Sequence, residues 1–427
     1  MAHRGIAAEL RGTAGAEDRF EGAADAAAGL ALDPLLAPGA ARAPRVRFFG
    51  GFSFREDHEP DGIWAAFPSF LFHVPEFELE GDGSGDAWLR ARALVSAEDT
   101  EDALNRLRRG AEALRAELAT QEKRHERRRV SLQGEVTTTD RARWHAEVGG
   151  ALEAIRGGRV SKVVLARTLD VTTEGRVEAV DVAEHLWEVN RGSHTFFFEP
   201  EPGTAILGAA PETVATLRDG VFHATAVAGS IRRGDTPREQ AELAARLLAS
   251  EKDRMEQRIA LEDMVTRLDT VSHQVRTDPQ PHVLTLARIQ HLETEIRASV
   301  PGGTGILDLL RLLHPTPAVC GLPRDAALAL LTQEEPFDRG WYAGPVGFFD
   351  AEGNGIFAPA LRTAVVRGDT WRLFAGAGIV EGSEPALEWE ETGMKFTPVL
   401  EALGASGVSL TGGPEWMREK PREVGGA

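Results

Sequence analysis

The chain has 427 residues, 42% of them hydrophobic, and 66 acidic against 48 basic side chains give it a net charge of −18. That charge argues against a nucleic-acid backbone or an anionic membrane surface as partner. The single cysteine, Cys320, leaves no internal disulfide, and no apolar run is long enough to span a bilayer. The first residues carry no apolar signal-peptide core, so a cytoplasmic protein is expected.

Residues 1–44 are rich in Ala and Gly, with Pro34 and Pro38, and are expected to form a helix or a loose extension. Ordered structure is expected from Val46, with strand-like alternation over residues 46–54 and again over 67–75. Residues 98–129 are predicted to be helical. Leu104, Leu107, Ala111, Leu114 and Leu118 repeat at three and four residues and form one apolar stripe. Residues 160–167 are predicted to be a buried strand, and 213–228 a hairpin turning at Asp219-Gly220. Thr236-Pro237-Arg238-Glu239 is a capping box with proline at the first helical position, and a helical region follows to about residue 271. A second capping box lies within it at Ser250 and Asp253. The apolar run 306–313 is predicted to be a buried helix. It leads into His314-Pro315-Thr316-Pro317-Ala318-Val319-Cys320-Gly321-Leu322-Pro323, a stiff, small-residue turn suited to walling a pocket. Strands are predicted over 344–349, 355–367 and 371–380, and a last helix over 383–402. The tail from 405 to 427 is rich in Gly, Pro and charge and is expected to be disordered. No repeat or linker interrupts residues 45–404. With its irregular order of strands and helices, this region is expected to be a single α+β domain.

Several residues could carry chemistry. Lys162 lies in a strand with apolar residues on both faces. Burial disfavours a charged ammonium and suits a general base, though a lysine at a strand end can also reach solvent by its long stem. Glu212 follows Gly208-Ala209-Ala210-Pro211, small residues that allow close approach; an acid, a metal ligand and a plain turn residue all fit. Glu256 sits at the edge of an apolar helical face, and on so charged a helix a solvated glutamate is the alternative. Glu388, Glu391 and Lys395 share one helical face, as a surface ion pair or as a carboxylate metal site beside a cation. Such a site would suit Mg²⁺, which takes a few carboxylates with waters and substrate oxygens. Arg362 closes the run Ala358-Pro359-Ala360-Leu361-Arg362, where it can fork onto a carboxylate or lie exposed at a sheet edge. Cys320 is expected to be a small buried filler. Neither Gly302-Gly303-Thr304-Gly305 nor Gly376-Ala377-Gly378 has nucleotide-loop spacing, and no zinc-binding cluster is present.

Taken together and in order, these stretches resemble the isochorismate synthases of the chorismate-utilising enzyme family over roughly residues 140–402. The resemblance rests on Ser161-Lys162-Val163-Val164-Leu165-Ala166-Arg167, on 208–212, on Ala228-Gly229-Ser230, and on Ser250-Glu251-Lys252-Asp253-Arg254. It continues through Gln290-His291-Leu292, the 314–323 loop, Trp341-Tyr342-Ala343-Gly344-Pro345-Val346-Gly347, Ala360-Leu361-Arg362, Gly376-Ala377-Gly378-Ile379-Val380 and Glu388-Trp389-Glu390-Glu391-Thr392. Small departures are Gly208-Ala209-Ala210-Pro211, where a serine before proline is commoner, and Cys320.

The resemblance implies one large domain like that of anthranilate synthase component I, with antiparallel sheets flanked by helices. It also implies a Mg²⁺-dependent conversion of chorismate to isochorismate for menaquinone or siderophore biosynthesis. Lys162 then activates water for attack at C2, and Glu212 protonates the leaving C4 hydroxyl. Glu256 and Glu391, with Glu388 alongside, hold Mg²⁺. Arg362 and Lys395 contact substrate carboxylates; Gly229, Ser230, Gly376 and His291 line the site. Ala318 stands where ammonia-using and salicylate-forming relatives usually carry threonine, which favours the water-using branch. The rival readings are a salicylate- or anthranilate-forming lyase of the same fold and an inert chorismate-binding module. The expected partner is chorismate alone, without a glutaminase subunit, in a monomer or weak homodimer.

Overall fold

The computed structural model describes residues 1–12, 18–30, 45–81, 85–95, 99–120, 134–173 and 177–404. Its strands pair antiparallel in two sheets. The larger runs from Ala2–Arg11 through Phe70–Gly81, Arg47–Phe52, Pro345–Asp350, Gly355–Pro359, Ala215–Arg218 and Val221–Arg232 to Ile289–Ser299 and Gln274–Thr277. The smaller runs from Gly321–Leu322 through Lys162–Thr173, Thr370–Ile379, Thr363–Arg367 and Thr204–Ala210 to His194–Glu201. The α+β class expected from the order of elements is the one observed, with antiparallel sheets and flanking helices.

Apolar alternation explains the layers. Phe48, Phe52, Phe72, Phe222 and Phe357 of the larger sheet pack with Phe20, Met264 and Leu310 from the helices Arg19–Ala28, Glu251–Leu268 and Ile306–Leu313. Leu169, Val171, Leu207 and Leu373 of the smaller sheet pack under Ala179–Val189 and Pro385–Ala402. A third cluster joins the sheets through Leu71, Val346, Val163, Val365, Phe374 and Trp341. The fully buried Trp341 donates its indole N–H to the Pro68 carbonyl at 2.7 Å, so a large apolar ring is buried without orphaning its donor.

The local signals hold at several places. Thr236 Oγ1 accepts from Glu239 N at the start of Pro237–Ala249, and Ser250 Oγ from Asp253 N at the start of Glu251–Leu268. Ser250, with extended backbone, ends the first helix and caps the second, which starts at the second capping box as expected. The hairpin turns at Asp219-Gly220, both with positive φ, as a tight hairpin turn requires. Helix Thr100–Thr120 half-buries Leu104, Leu107, Ala111 and Leu114, leaves Leu118 exposed, and passes so close to Phe77 that a Cβ on Gly110 would lie 2.4 Å from its ring.

Two expectations are corrected. Order begins at Ala2, not at Val46: Ala2–Arg11 pairs along Phe70–Gly81, and Arg19 pins the next helix by donating to the Ser53 and Phe54 carbonyls. Residues 355–367 are two strands in different sheets, because the chain crosses between sheets at Ala360-Leu361-Arg362. A second crossing occurs at Pro211-Glu212-Thr213-Val214, between Thr204–Ala210 and Ala215–Arg218. The expectations for residues 121–129 and 405–427 lie outside the described residues.

The last helix is fixed to the smaller sheet by Arg167. Its guanidinium is fully buried, lies 3.6 Å from the Trp389 ring centroid, and donates to Thr392 Oγ1 at 2.7 Å and to the Trp389 carbonyl at 3.1 Å. Arg167→Met should therefore lower the unfolding free energy by about 2–3 kcal/mol. This would appear as a fall in the urea midpoint at unchanged slope; an unchanged midpoint would contradict the anchoring role.

Candidate active site

The short crossings at residues 211–214 and 360–362 each deliver an ionisable residue to one place. A cleft opens at the seam. Glu212 enters from the crossing at 211–214 and Arg362 from that at 360–362, while Gly229, Ser230, Glu256, His291, Ala318, Gly376, Glu391 and Lys395 also line the cleft. The cleft thus gathers ten of the twelve residues singled out in the sequence. Lys162 lies just behind it, its Nζ 3.2 Å from Glu256 Oε1. Glu388 is set back, buried and gripped by Lys252 at 2.6 Å.

Lys162 begins its strand and is fully buried, so the strand-end position does not give it the solvent access that the alternative reading required. Although it lies within ion-pair distance of Glu256, Nζ is out of hydrogen-bond geometry and has no hydrogen-bond partner among the described residues. The approach depends on Gly378: a Cβ there would sit 2.0 Å from Glu256 Oε1 and 3.1 Å from Lys162 Cε. Lys395 donates to Glu391 Oε1 at 2.6 Å and to the Gly376 carbonyl at 2.8 Å. The three glutamates therefore each face one lysine, and the surface reading of Glu388, Glu391 and Lys395 is replaced by a buried one.

Burial pushes the Glu212 carboxyl up to about 8, although Lys162, Arg362 and Lys395 pull the other way. Its Oε1 is buried without a hydrogen-bond partner among the described residues. At neutral pH it is an acid that still holds its proton. Burial alone would raise Glu391, but Lys395 and Lys252 outweigh it and hold that carboxylate well below the usual range. Glu388 moves the other way, raised by burial and then by repulsion from Glu391.

Burial, with Arg362 and Lys395 beside it, drives His291 down to about 3, so the ring is neutral. Arg362 Nη2 lies 2.9 Å from His291 Nε2. A guanidinium can only donate, so Nε2 accepts and the proton sits on Nδ1, 3.1 Å from the Gly229 carbonyl. His291 thus aims Arg362. Arg362 and Ala343 both line the cleft with left-handed backbones, φ +51° and +61°, a conformation costing about 1–2 kcal/mol in a non-glycine residue. Arg362 belongs to the crossing rather than to a strand and lines the cleft, so the exposed sheet-edge setting does not apply. Cys320 is a buried filler whose thiol burial pushes up to about 12.

The sequence reading did not single out Tyr342, Lys252 and Gly378. Tyr342 lines the cleft, and a Cβ on Gly376 would lie 3.0 Å from its hydroxyl. The available signal was composition: it is the only tyrosine in the chain. Lys252 and Gly378 lie within the resembling stretches 250–254 and 376–380, but their partners are remote in sequence, so neither stood out as a site residue.

Among the described residues no three His, Cys, Asp or Glu side chains form a metal cage. An all-oxygen set of Glu256, Glu391 and Glu388, with Glu388 Oε2 buried and without a hydrogen-bond partner among the described residues, nevertheless fits a cation that takes one or two carboxylates and fills its shell with substrate and water.

A family profile described as chorismate binding enzyme matches residues 1–404. The chain is 39% identical over 368 residues to the salicylate biosynthesis isochorismate synthase of Pseudomonas aeruginosa, covering 84% of this chain and 75% of that one. It is 34% identical over 356 residues to isochorismate synthase MenF of Bacillus subtilis, covering 83% and 74%. The solved menaquinone-specific isochorismate synthase MenF of Escherichia coli superposes with a TM-score of 0.69 at 27% identity, over 84% of this chain and 79% of that one. Anthranilate synthase component I of Streptococcus pneumoniae, at 20% identity and a TM-score of 0.75 over 94% and 91%, shares the fold.

The Glu212 carboxyl holds its proton in the fold up to about 8, against an ordinary value of 4.5. Its contribution to stability is therefore full below the ordinary value and is lost as pH rises through about 8. Infrared difference spectra should show a protonated-carboxyl band at pH 7 that disappears through about 8 and is missing from Glu212→Gln. A band already lost by pH 6 would contradict the assignment.

Proposed function

The chain belongs to the family of chorismate-binding enzymes, and from that premise we propose how its cleft works. It is an isochorismate synthase, converting chorismate to isochorismate for menaquinone or siderophore biosynthesis; this reading is favoured over a lyase or an inert binding module. The observation that carries the mechanism is the pairing of opposite functions at one cleft: a buried carboxyl that keeps its proton, Glu212, in its wall, and a buried lysine with no hydrogen-bond partner among the described residues, Lys162, just behind that wall.

Hydroxide is a poor leaving group and water a poor nucleophile. Lys162 in its neutral form takes a proton from water as its oxygen attacks C2. The ring double bonds shift, and Glu212 gives its proton to the C4 oxygen, which leaves as water. Atoms balance, since one water enters and one departs. Acid and base contribute about 10²–10⁴-fold each. Arg362, aimed by His291, and Lys395 bind the substrate carboxylates, so that a −18 protein presents local cations to a dianion. Ala318 leaves the wall small and without a hydroxyl, in keeping with water as nucleophile. Glu256 and Glu391, with Glu388 behind, would hold Mg²⁺, which when bound neutralises a substrate carboxylate and draws electron density from the ring. Gly229, Ser230 and Gly376 shape the remaining wall.

No ammonia-supplying subunit is required. Among the described residues no helix is long and apolar enough to cross a membrane. We place the reaction in the cytoplasm, in a monomer or weak homodimer.

Purified protein mixed with chorismate and Mg²⁺ should give isochorismate at a mixed equilibrium, and EDTA should abolish the reaction. Salicylate with pyruvate would instead assign the chain to the lyases. Lys162→Ala and Glu212→Gln should each lower kcat by about 10²–10⁴-fold. The wild-type rate should fall as pH rises through about 8, because the acid is then lost. Undiminished turnover by a folded Lys162→Ala would remove it as the base.

A further inference from the structure

The strand that carries Lys162 has a gap along one edge. Gly321–Leu322 pairs only with Lys162 and Val163, and Val164 N donates to the Cys320 carbonyl at 2.8 Å. Pairing with Gly134–Thr138 resumes only at Leu169. Between them two side chains stand in for a strand. Arg339 Nη2 donates to the Val164 carbonyl at 2.6 Å, and Glu335 Oε1 accepts from Ala166 N at 2.8 Å. Arg339 Nη1 reaches across to the Val319 carbonyl at 2.8 Å, and Nε donates to Glu335 Oε2 at 2.8 Å. Both side chains are buried, with 2% and 5% of the side chain exposed.

Four fixed bonds thus tie the Lys162 strand to the turn that carries Ala318. Val164 and Val319 line the cleft, whereas Glu335 and Arg339 do not. The guanidinium lies 4.5 Å from the Phe54 ring centroid, and the Arg339 carbonyl accepts from Tyr342 N at 2.8 Å. We propose that Glu335 and Arg339 are positioning residues for the reaction, setting the Lys162 strand and the Ala318 wall at one separation without touching substrate. The inference rests on the reading of the cleft given above. Because the carboxylate-binding residues Arg362 and Lys395 hang from other elements, the pair should govern the rate of the chemical step and not substrate affinity.

The test compares wild type with Arg339→Lys and Arg339→Met in the full chain, each screened by thermal melting. Lysine keeps a charge opposite Glu335 but cannot supply the planar fork to two carbonyls at once. Arg339→Met should lower kcat by about 10²-fold, as expected for a misplacement of about 1 Å, with KM for chorismate within about threefold of wild type. Arg339→Lys should fall between the two. Unchanged kcat in a folded Arg339→Met, or KM rising in step with the loss of kcat, would overturn the proposal. Should Arg339→Met fail to fold, the split between kcat and KM in Arg339→Lys decides by the same criterion. All rates are followed on the product that wild type forms. A wild type making salicylate would therefore defeat the functional reading, while the kcat and KM comparison would still decide the positioning role.

Discussion

Lys162 and Lys252 each face a buried glutamate, at 3.2 and 2.6 Å, and Lys395 faces the half-buried Glu391 at 2.6 Å, and the cleft depends on that pairing. A lone buried charge costs several kcal/mol, so neither the lysines nor the glutamates could enter this seam separately. Glu212 is the one carboxyl left without such a partner, and it responds by keeping its proton. The contrast between two of the carboxyls follows from partnering: Glu391 opposite Lys395 is held below the usual carboxylate range, whereas Glu212, with no such partner, keeps its proton.

The fold supplies the geometry that makes such pairing possible. Of the passages of the chain between the two antiparallel sheets, the short ones at residues 211–214 and 360–362 bring Glu212 and Arg362 to the seam. The helices that carry Glu256 and Glu391 lie on different sheets, the former packed on the larger and the latter on the smaller. Arg167 holds the latter helix down, and Gly378 leaves room for the Glu256 carboxylate. The neutral His291 then completes the site by accepting from Arg362, an arrangement open only to an imidazole with its proton on Nδ1.

Much of this was legible in the sequence, for local reasons. The caps at Thr236 and Ser250, the Asp219-Gly220 turn and the 306–313 helix depend on neighbouring residues, which the sequence displays directly. The site residues were legible as a constellation through their resemblance to a family, since each alone admitted a plain structural reading. Long-range pairing escaped. Ala2–Arg11 has too many alanines to read as a strand, and its partner Phe70–Gly81 decides its conformation. The break at Ala360-Leu361-Arg362 carries no glycine, although Arg362 adopts a left-handed backbone there. The set-back position of Glu388 follows from Lys252, which lies 136 residues away.

The central claim is that water attacks C2 while the C4 hydroxyl departs, with Lys162 and Glu212 moving the protons. The most direct measurement is mass spectrometry of isochorismate formed in ¹⁸O-labelled water during a single turnover. The account predicts one ¹⁸O atom in the product, carried at C2. Isochorismate free of label would mean that the hydroxyl migrates within the substrate, and would contradict the roles given to both residues.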